Sequence, residues 1–381
     1  MSKKEYKAKD IFKSVTNKKH NGEFEVLSAT QDKGVIPRSQ VDIDIKFDES
    51  NITGYKKVDR GDFVISLRSF QGGIEYSEYE GLVSPAYTVL KPIVPVCDGY
   101  YKAYLKTGDY INRLNKGTYG IRDGKQIGFE DFGDMILHYP SLSEQQKIAE
   151  ILSAQDKLIA LKEKLIEEKK RQKKALMQQL LTGKKRLSGF SGEWVDVKLG
   201  DVFAERAETN CQDLELLSVT GTNGVVPRST IETKDNSSED KSKYLKICKG
   251  DIGYNTMRMW QGVSALSEYE GIVSPAYTIL IPSPKISAKY FSYLFKMHAV
   301  IFLFYRFSQG IVDDTRSLKY YEFAKLHLTV PSDKKEQEAI ADILTVADKE
   351  IEILQKDLDQ EKQKKKALMQ LLLTGIVRIG V

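Results

Sequence analysis

The chain has 381 residues, of which 41% are hydrophobic and 29% charged, and its formal net charge is +5. This composition indicates a soluble globular protein of two or three domains. The longest apolar stretches, such as AVIFLF (299–304), are too short to span a bilayer, which excludes a membrane-spanning class. Three isolated cysteines, Cys97, Cys211 and Cys248, are typical of reduced thiols, and the N-terminal segment has no apolar signal core. We therefore expect a cytoplasmic protein whose mild basic excess allows, without requiring, a local nucleic-acid face.

An internal repeat organises the whole sequence. Residues 77–90, SEYEGLVSPAYTVL, return at 267–280 as SEYEGIVSPAYTIL with 12 of 14 positions identical, and KKALMQQLLTG (173–183) returns at 365–375 as KKALMQLLLTG. The two offsets, 190 and 192 residues, are about half the length of the chain. One unit is therefore written twice, which predicts a molecule with pseudo-two-fold symmetry.

The first 140 residues alternate between apolar and polar side chains and are interrupted by Gly, Pro and Asn turns. That pattern predicts short strands with a few helices, and residues 196–331 repeat it. Within each copy one segment, at 99–115 and at 287–307, is too dense in aromatic and aliphatic residues for a surface strand and predicts a helix. The sequence therefore predicts two tandem domains of the α/β (α+β) class.

A helix of unusual length is predicted after each domain. The first begins where Ser143 and Gln146 form a capping-box pattern, and the second where Asp333 and Glu336 do the same. Each helix then runs for about 40 residues without Gly or Pro and stops at a glycine. At 1.5 Å per residue, each would span roughly 60 Å.

Apolar residues in both helices alternate spacings of four and three, as in a coiled coil. The predicted seam of the second helix is Ile340, Leu344, Ala347, Ile351, Leu354 and Leu358, and that of the first is Ile151, Ala154, Leu158, Leu161 and Leu165. Because a helix this long needs a partner along its length, we expect the two helices to pair, and the pseudo-two-fold relation makes the pair antiparallel. The alternative is that each helix lies independently on the surface of its own domain.

These expectations divide the chain into six segments. The first domain is 1–140, followed by the central long helix at 141–183 and a linker at 184–195. The second domain is 196–331, followed by the C-terminal long helix at 332–375 and a tail at 376–381.

Catalytic and cofactor-binding patterns are missing from the sequence. The four histidines have no neighbours at the spacing of metal ligands. There is no phosphate-binding Gly-x4-Gly-Lys-Ser/Thr loop, no glycine-rich cofactor loop after a strand, and no Asn/Asp-Pro-Pro-Tyr/Phe tetrapeptide of the kind that amino-methyltransferases use. The sequence therefore indicates a protein that recognises a partner and needs no metal or cofactor of its own.

Several local patterns carry a resemblance to a known family. SGEWVDVKLGDVF (191–203) opens the second domain, PSLSEQQKI and PSDKKEQEAI open the long helices, and KKALMQ-x-LLTG closes both. With the two domains and two helices, they resemble the specificity (S) subunit of type I restriction-modification enzymes, the HsdS family, over the whole chain. The N-terminus departs from the pattern, because it starts at KAKDIF without a counterpart to SGFSGEW.

The resemblance implies a function that composition does not reveal. Each domain would be a target-recognition domain that reads one half of a bipartite site on double-stranded DNA, and the helices would set the spacer between the halves. The subunit would bind two modification (methyltransferase) subunits, which carry S-adenosylmethionine and methylate adenine. Restriction subunits would add ATP-dependent translocation and cleavage of DNA. The S subunit itself would hold no cofactor and no catalytic residue, and a membrane would not be a partner.

Candidate DNA contacts follow from the side chains that suit base edges and phosphates. In the loop LRSFQGG of the first domain we predict contacts from Arg68, Ser69 and Gln71. Their counterparts in the second domain are Arg258, Trp260 and Gln261. Trp260 fits equally well as a plug that closes the turn on the core.

Arg38 and Arg228, in the repeated turns after proline, are candidates for phosphate contact or for bracing the fold. Further candidates for contact with DNA are Lys116, Arg122 and Arg316. The basic runs 169–175 and 362–367 leave three interpretations open: contact with DNA phosphates, contact with an acidic surface of a modification subunit, or a solvated helix face.

A rival function is that of a non-catalytic coiled-coil scaffold without sequence-specific DNA recognition. Nearly identical exposed loops in the two copies would favour the scaffold. Residues 43–54 and 233–244 occupy equivalent places and differ almost completely. Two distinct readers on a common framework are therefore the favoured interpretation.

Overall fold

The computed structural model describes residues 5–41, 49–117, 127–221, 224–232 and 237–380. The chain forms two compact units: unit 1 is Met1–Glu163 with Lys356–Val381, and unit 2 is Lys164–Gln355. Each unit combines one mixed domain of strands and helices with the first part of the long helix that follows it and the last part of the other long helix. No helix of the described residues is long and apolar enough to cross a membrane.

Unit 1 contains short antiparallel strands. They are β1 (Glu5–Lys7), β2 (Phe12–Val15), β3 (Leu27–Thr30), β4 (Gly34–Pro37), β5 (Lys56–Val58), β6 (Phe63–Ile65), β7 (Glu75–Tyr76), β8 (Gly81–Val83), β9 (Thr88–Pro92) and β10 (Ile136–His138). A four-stranded sheet has the order β2-β9-β6-β7, while β3 pairs with β4, β5 with β8, and β1 with β10.

Unit 2 repeats this topology strand for strand. Its strands are β11 (Trp194–Lys198), β12 (Phe203–Glu205), β13 (Leu217–Thr220), β14 (Gly224–Pro227), β15 (Leu245–Ile247), β16 (Ile252–Asn255), β17 (Ser264–Leu266), β18 (Gly271–Val273), β19 (Tyr277–Pro282) and β20 (His327–Pro331). The sheet order is β12-β19-β16-β17, with pairs β13-β14, β15-β18 and β11-β20. The register also repeats, since Leu27 lies opposite Pro37 and Leu217 opposite Pro227. The sequence repeat is thus a repeat of fold.

Helices connect the strands. In unit 1 they begin with α1 (Ala8–Ile11), α2 (Ser69–Gly72), α3 (Asp98–Tyr104), α4 (Gly108–Gly117) and α5 (Phe129–Gly133), followed by the long α6 (Leu142–Leu180), which continues into unit 2. The remaining helices are α7 (Leu199–Val202), α8 (Ala288–Leu294), α9 (His298–Phe307), α10 (Tyr320–Phe323) and the long α11 (Lys334–Leu373), which runs from unit 2 into unit 1.

The segment 287–307 is helical, as predicted, but the structure divides it into two helices. Met297 has an extended backbone (ψ 134°) and forms the corner between α8 and α9. The segment 99–115 is likewise divided, between α3 and α4. Both helices of each pair contribute buried aromatic residues to the core. Apolar density therefore cannot distinguish one long helix from two short ones.

Aromatic side chains fill the main core of each domain. In unit 1, Phe12 packs edge-to-face against Phe63 and Tyr101, with ring centroids 5.4 and 5.3 Å apart. In unit 2, Phe203 packs against Phe291 in the same way at 5.2 Å. Burying a phenylalanine is worth about 1.5–3 kcal/mol, and a ring pair adds roughly 1 kcal/mol. These contacts hold the four-stranded sheet against the helices.

The end of each long helix lies in a domain core. Leu180 and Leu181, at the end of α6, are buried in the core of unit 2, and Leu372 and Leu373, at the end of α11, are buried in the core of unit 1. Each domain core is therefore completed by the helix that follows the other domain in sequence.

The caps of the long helices differ from the prediction. The N-cap contact of α6 is made by Ser141, whose Oγ accepts the Glu144 N–H at 3.3 Å, so the predicted Ser143–Gln146 box is wrong. In α11, Asp333 accepts the Lys335 N–H at 2.9 Å, as its predicted capping role requires. Glu336, whose carboxylate is predicted to complete that box, accepts hydrogen bonds from Arg186 instead.

The two long helices run antiparallel within each unit. In unit 1, Gln155 contacts Glu361 and Lys162 pairs with Asp357, so the residue numbers change in opposite directions. In unit 2, α6 and α11 are joined in the same sense by ion pairs of Lys169 with Glu350 and of Lys173 with Asp348. The predicted antiparallel coiled coil is confirmed.

The seam predicted for α11 is correct, and the one predicted for α6 is wrong. In α11, Ile340, Leu344 and Leu358 are buried. In α6, Leu161 is 65% exposed, and Leu158 and Leu165 are exposed as well. The residues of α6 that contact α11 are instead Gln155, Lys162, Lys169 and Lys173, and the more buried Ile148, Leu152, Ile159 and Ile166 follow the same spacing of three and four. Because acidic residues of α11 pair with the lysines of this set, the seam of α6 is partly polar and does not follow the more apolar stripe.

Candidate nucleic-acid interface

The first candidate loop of unit 2, called reading loop 2, comprises residues 256–263 between β16 and β17. Its base is closed by the Asn255 N–H, which donates to the Val263 carbonyl at 3.1 Å. Gly262 has a φ of +80°, and a Cβ there would lie 2.7 Å from the Ile301 side chain, so glycine is required. The turn presents Arg258 and Gln261 to solvent. Two forked, donor-rich side chains therefore lie side by side on a tightly closed turn.

Trp260 occupies the middle of this loop and is half-buried. Its indole N–H donates to the Met257 carbonyl at 2.9 Å, and its ring lies edge-on to Tyr305, with centroids 6.0 Å apart. The indole thus supports the loop from within, while Met257 beside it is exposed. The sequence did not single out Tyr305, because its role depends on α9 packing behind the loop.

Arg316 supports the same cluster. Its guanidinium lies 4.1 Å above the Tyr305 ring and donates to the Tyr305 hydroxyl at 3.0 Å and to Asp313 at 2.8 Å. The hydrogen bond to Asp313 is the largest cause of the raised pKa of Arg316. These contacts engage Nε and Nη2 of the guanidinium and give Arg316 a role in bracing Tyr305. Its contact with DNA stays a prediction.

Reading loop 1, residues 66–73 of unit 1, lies between β6 and β7 and contains α2. Arg68 and Gln71 are exposed, as predicted for residues that read DNA. Ser69 is only 1% exposed, and its Oγ accepts the Ser66 N–H at 2.8 Å. Ser69 therefore stabilises the loop, contrary to the expectation that it contacts DNA.

Reading loop 1 also touches the β3–β4 hairpin. The side-chain amide of Gln31, in the turn of that hairpin, donates to the Gln71 side chain at 3.3 Å. The hairpin turn therefore influences where the Gln71 amide lies. No local sequence pattern predicts this contact, since the two residues are 40 positions apart.

Arg38 and Arg228 begin equivalent 3₁₀ turns after β4 and β14. Their backbone N–H groups donate to Val26 at 3.0 Å and to Leu216 at 2.8 Å. Both side chains are half-buried, and the Arg228 guanidinium donates to the Ile231 carbonyl at 3.3 Å. These contacts favour the bracing role over phosphate binding.

Two further candidates lie near the end of α4. Lys116 is exposed on that helix and remains a candidate for phosphate contact. Arg122 lies outside the residues that the structure describes. So do residues 43–48 and 233–236, which belong to the divergent segments 43–54 and 233–244.

Four of the nine basic residues in the runs 169–175 and 362–367 form ion pairs between the long helices, and Lys170 and Lys364 pair within their own helix. Lys169 and Lys173 pair with α11, as described above, and Lys362 and Lys365 pair with Glu163 at 2.7 Å and Asp156 at 2.5 Å. Pairing between the two long helices was not among the three interpretations that the sequence left open for these runs. Lys362, Lys365 and Lys366 also line a cavity of about 800 Å³ in unit 1. Because two of these lysines already have carboxylate partners, the cavity is not an uncompensated cationic site.

Metal-binding groups are not assembled in the described parts of the chain. No set of three or more His, Cys, Asp or Glu residues is placed there to hold a metal ion. The exposed side chains assigned to DNA in the candidate loops are arginine, which donates hydrogen bonds, and glutamine, which donates and accepts them.

Comparison with known proteins identifies the repeated architecture. The family described as "Type I restriction modification DNA specificity domain" matches residues 2–171 and again residues 191–362. The type I restriction enzyme MjaVIII specificity subunit of Methanocaldococcus jannaschii is 25% identical over 351 residues, which are 84% of this chain and 80% of that protein.

Solved structures share the fold. The HsdS subunit of Thermoanaerobacter tengcongensis has a TM-score of 0.50 at 11% identity, over 99% of this chain and 95% of that one. The type I S subunit of M. genitalium has a TM-score of 0.54 at 14% identity, over 97% and 95% of the chains. A chain from a study of complex assembly and conformational transition of the type I restriction-modification system has a TM-score of 0.56 at 11% identity, over 97% and 99%.

Proposed function

Because the chain belongs to the family of type I restriction-modification DNA specificity domains, we propose that it is the DNA sequence-specificity subunit of a type I restriction-modification complex. Each of its two domains reads one half of a bipartite site. The observation that carries this proposal is the double family match, one for each unit of the sequence repeat. The rival function, a scaffold without DNA specificity, is not favoured by any observation.

The reading loops are the part of each domain that we assign to base recognition. Arg68 with Gln71, and Arg258 with Gln261, are exposed at equivalent places on loops that are otherwise held by buried contacts. Arginine binds guanine and glutamine binds adenine through paired hydrogen bonds in the major groove. The residues around these pairs differ between the loops, so the half-sites that they read differ too.

The subunit has no catalytic role in this proposal. Modification subunits supply the methyl transfer and restriction subunits the ATP-dependent translocation and cleavage. The net charge of +5 is small for a protein that binds DNA alone, which is consistent with partner subunits contributing part of the phosphate contacts.

The long helices carry exposed apolar residues in each unit, which we assign to contact with a modification subunit. On α6 in unit 1 these residues include Leu158 and Leu161, and on α11 in unit 2 they include Ile343, Val346 and Ile353. Leu161 and Ile353 are equivalent in the repeat and are 65% and 67% exposed. Exposed apolar stripes mark protein-binding surfaces. The equivalent exposed pair Leu161 and Ile353 supports the binding of two copies of one partner, although the neighbouring residues differ, since Glu350 takes the place of Leu158.

The experiment that tests this function is reconstitution. The purified chain alone should neither methylate nor cut DNA, whereas with its modification subunits it should direct adenine methylation to one split sequence. The outcome is measured by methylome sequencing of two hosts. One expresses the specificity, modification and restriction subunits, and the other lacks the specificity subunit. Methylation that does not depend on this chain would contradict the proposal.

A further inference from the structure

A lysine lies at the same place behind the reading loop of each domain. Lys106 follows α3 in unit 1, and Lys296 follows α8 in unit 2, 190 positions further along the chain. Both lysines are half-buried, whereas Arg68 and Arg258 are exposed.

Lys296 holds reading loop 2 directly. Its ammonium group donates to the carbonyl of Gly262 and to that of Ser264, both at 2.6 Å. Gly262 follows Gln261, so the bond lies next to one of the two residues assigned to base recognition. On its other side Gly262 is backed by Ile301. Loss of the ammonium would remove a charge-assisted donor from both carbonyls at the point where the loop returns to β17.

Lys106 is connected to reading loop 1 by a different set of contacts. Its ammonium forms an ion pair with Glu75, which is 2% exposed, and donates to the Gln31 carbonyl at 3.1 Å. The side chain of Gln31 in turn donates to Gln71. In unit 2 the place of Glu75 is taken by Ala265, so the equivalent lysine has main-chain carbonyls where Lys106 has a carboxylate.

The ammonium group of Lys296 is held in place by its surroundings. Burial is the main cause that lowers its pKa to about 8, and the charge of Lys173 on α6 adds to the effect. Lys173 is itself paired with Asp348 and lies over the Tyr293 ring. A half-buried ammonium that is bound to two carbonyls of a loop is placed to fix that loop and not to meet a DNA phosphate.

We propose that Lys296 and Lys106 are positioning residues for the reading loops: Lys296 acts directly on the carbonyls of loop 2, and Lys106 acts on loop 1 through Glu75 and Gln31. This inference rests on the proposed role of the loops in DNA recognition. Paired hydrogen bonds to a base require the side chain to be held to within about 0.5 Å. Each lysine therefore controls the sequence preference of its own half-site without contacting DNA.

The test uses the full complex with its modification subunits and a DNA library randomised in both half-sites. Lys296→Met should lower discrimination roughly tenfold in the half-site that loop 2 reads, and leave the other half-site unchanged. Lys106→Met should do the reverse. Lys296→Arg, which keeps the charge and the donors, should restore part of the preference. Lys285→Met removes an exposed lysine of the same domain and should behave as the wild type.

A second readout separates positioning from phosphate contact. The slope of log affinity against log salt should be the same for Lys296→Met and the wild type, whereas loss of a phosphate contact would reduce it by about 1. A reduced slope, a preference that Lys296→Met leaves intact, or equal loss in both half-sites would each overturn the proposal.

Two controls keep the outcome interpretable. If circular dichroism shows that Lys296→Met is unfolded, Lys296→Arg and Lys106→Met decide: a changed preference in one half-site supports the proposal, and wild-type preference in both variants overturns it. A wild-type complex that shows no sequence preference at all would instead refute the proposed function, whatever the lysine variants do.

Discussion

Arg378 and Glu144 form a two-pronged ion pair in unit 1, with Nε–Oε1 at 2.7 Å and Nη2–Oε2 at 2.6 Å. Glu144 lies in the first turn of α6 and is 3% exposed, while Arg378 lies in the tail after α11, 234 positions away. In unit 2, Arg186 after α6 makes the same contact with Glu336 at the start of α11, with Nε–Oε1 at 2.7 Å. Each unit therefore has an equivalent arginine–glutamate pair, which links the start of one long helix to the segment that follows the other.

Arg378→Ala should destabilise unit 1. Because Glu144 would remain buried without its partner, we expect a loss of about 1–3 kcal/mol in the free energy of unfolding at pH 7. Arg378 holds the pKa of Glu144 below 4.5 by hydrogen bonding, so the pair stabilises the protein above that pH and is lost as the pH falls. Denaturant titrations at pH 7 and near pH 3 should show the difference between variant and wild type shrink. A difference independent of pH would contradict this account. Arg378→Ala with Glu144→Gln should be less destabilised at pH 7 than Arg378→Ala alone.

Arg258→Ala and Gln261→Ala should each relax the preference of one half-site, by about 1–3 kcal/mol of discrimination, while Arg68→Ala should act on the other. Arg258→Lys is the matched control, since it keeps the charge and loses the fork, and it should lose discrimination but retain the salt dependence of binding. Methylation of the doubly randomised library is the measurement. Uniform loss of activity with both preferences intact would mean that the loop positions DNA or braces the fold.

Deleting one heptad from each long helix, 158–164 and 350–356, should shorten the spacer between the half-sites. The deletion leaves the contacts Gln155–Glu361 and Lys173–Asp348 in register and shortens each helix by about 10 Å at 1.5 Å per residue. DNA rises about 3.4 Å per base pair, so the spacer should lose roughly two to three base pairs. Methylome sequencing measures this. An active variant with an unchanged spacer would exclude the helices as the determinant of spacing.

A fragment of residues 1–190 should form a homodimer, because it lacks the 356–381 segment that completes unit 1. By the sequence repeat, Lys173 of a second copy can replace Lys365 beside Asp156, and Arg186 of a second copy can replace Arg378 beside Glu144. Light scattering should give twice the mass of the fragment.

With modification subunits the dimer of this fragment should recognise an inverted, symmetric site, because it presents two identical readers. The fragment with Arg186→Ala is the matched variant and should dimerise more weakly. A well-folded monomer at micromolar concentration would contradict the prediction.

Glu75→Gln should remove a pH dependence from the stability of unit 1. Burial raises the pKa of Glu75 from 4.5 to about 7, against the opposing effect of Lys106. Between those values the folded state binds more protons than the unfolded state, so the wild type loses stability as the pH rises, by up to about 3 kcal/mol. Relative to the wild type, the variant should therefore gain stability between pH 5 and pH 8, as measured by denaturant titration. A constant difference would show that Glu75 is ionised throughout this range.

The candidate site was only partly predictable. The exposure of Arg68, Gln71, Arg258 and Gln261 agrees with the reading-loop hypothesis, because long polar side chains beside a glycine turn are seldom buried. The roles of Ser69, Arg316 and the two buried lysines could not be predicted. They depend on which backbone carbonyls and rings the folded chain places next to them, and no local pattern encodes those neighbours.

The sequence by itself determined the duplication, the mixed class of the two domains, the two long helices and the seam of α11, because each of these follows from a periodic or repeated pattern of apolar and turn residues. The tertiary structure decided which face of α6 is buried. Leu158, Leu161 and Leu165 form the more apolar stripe, yet the seam contains Gln155, Lys162 and Lys169. The acidic residues that pair with these lysines lie on the other helix, almost 200 positions away. Only the antiparallel pairing of the helices therefore shows that charged residues of α6 lie in the seam.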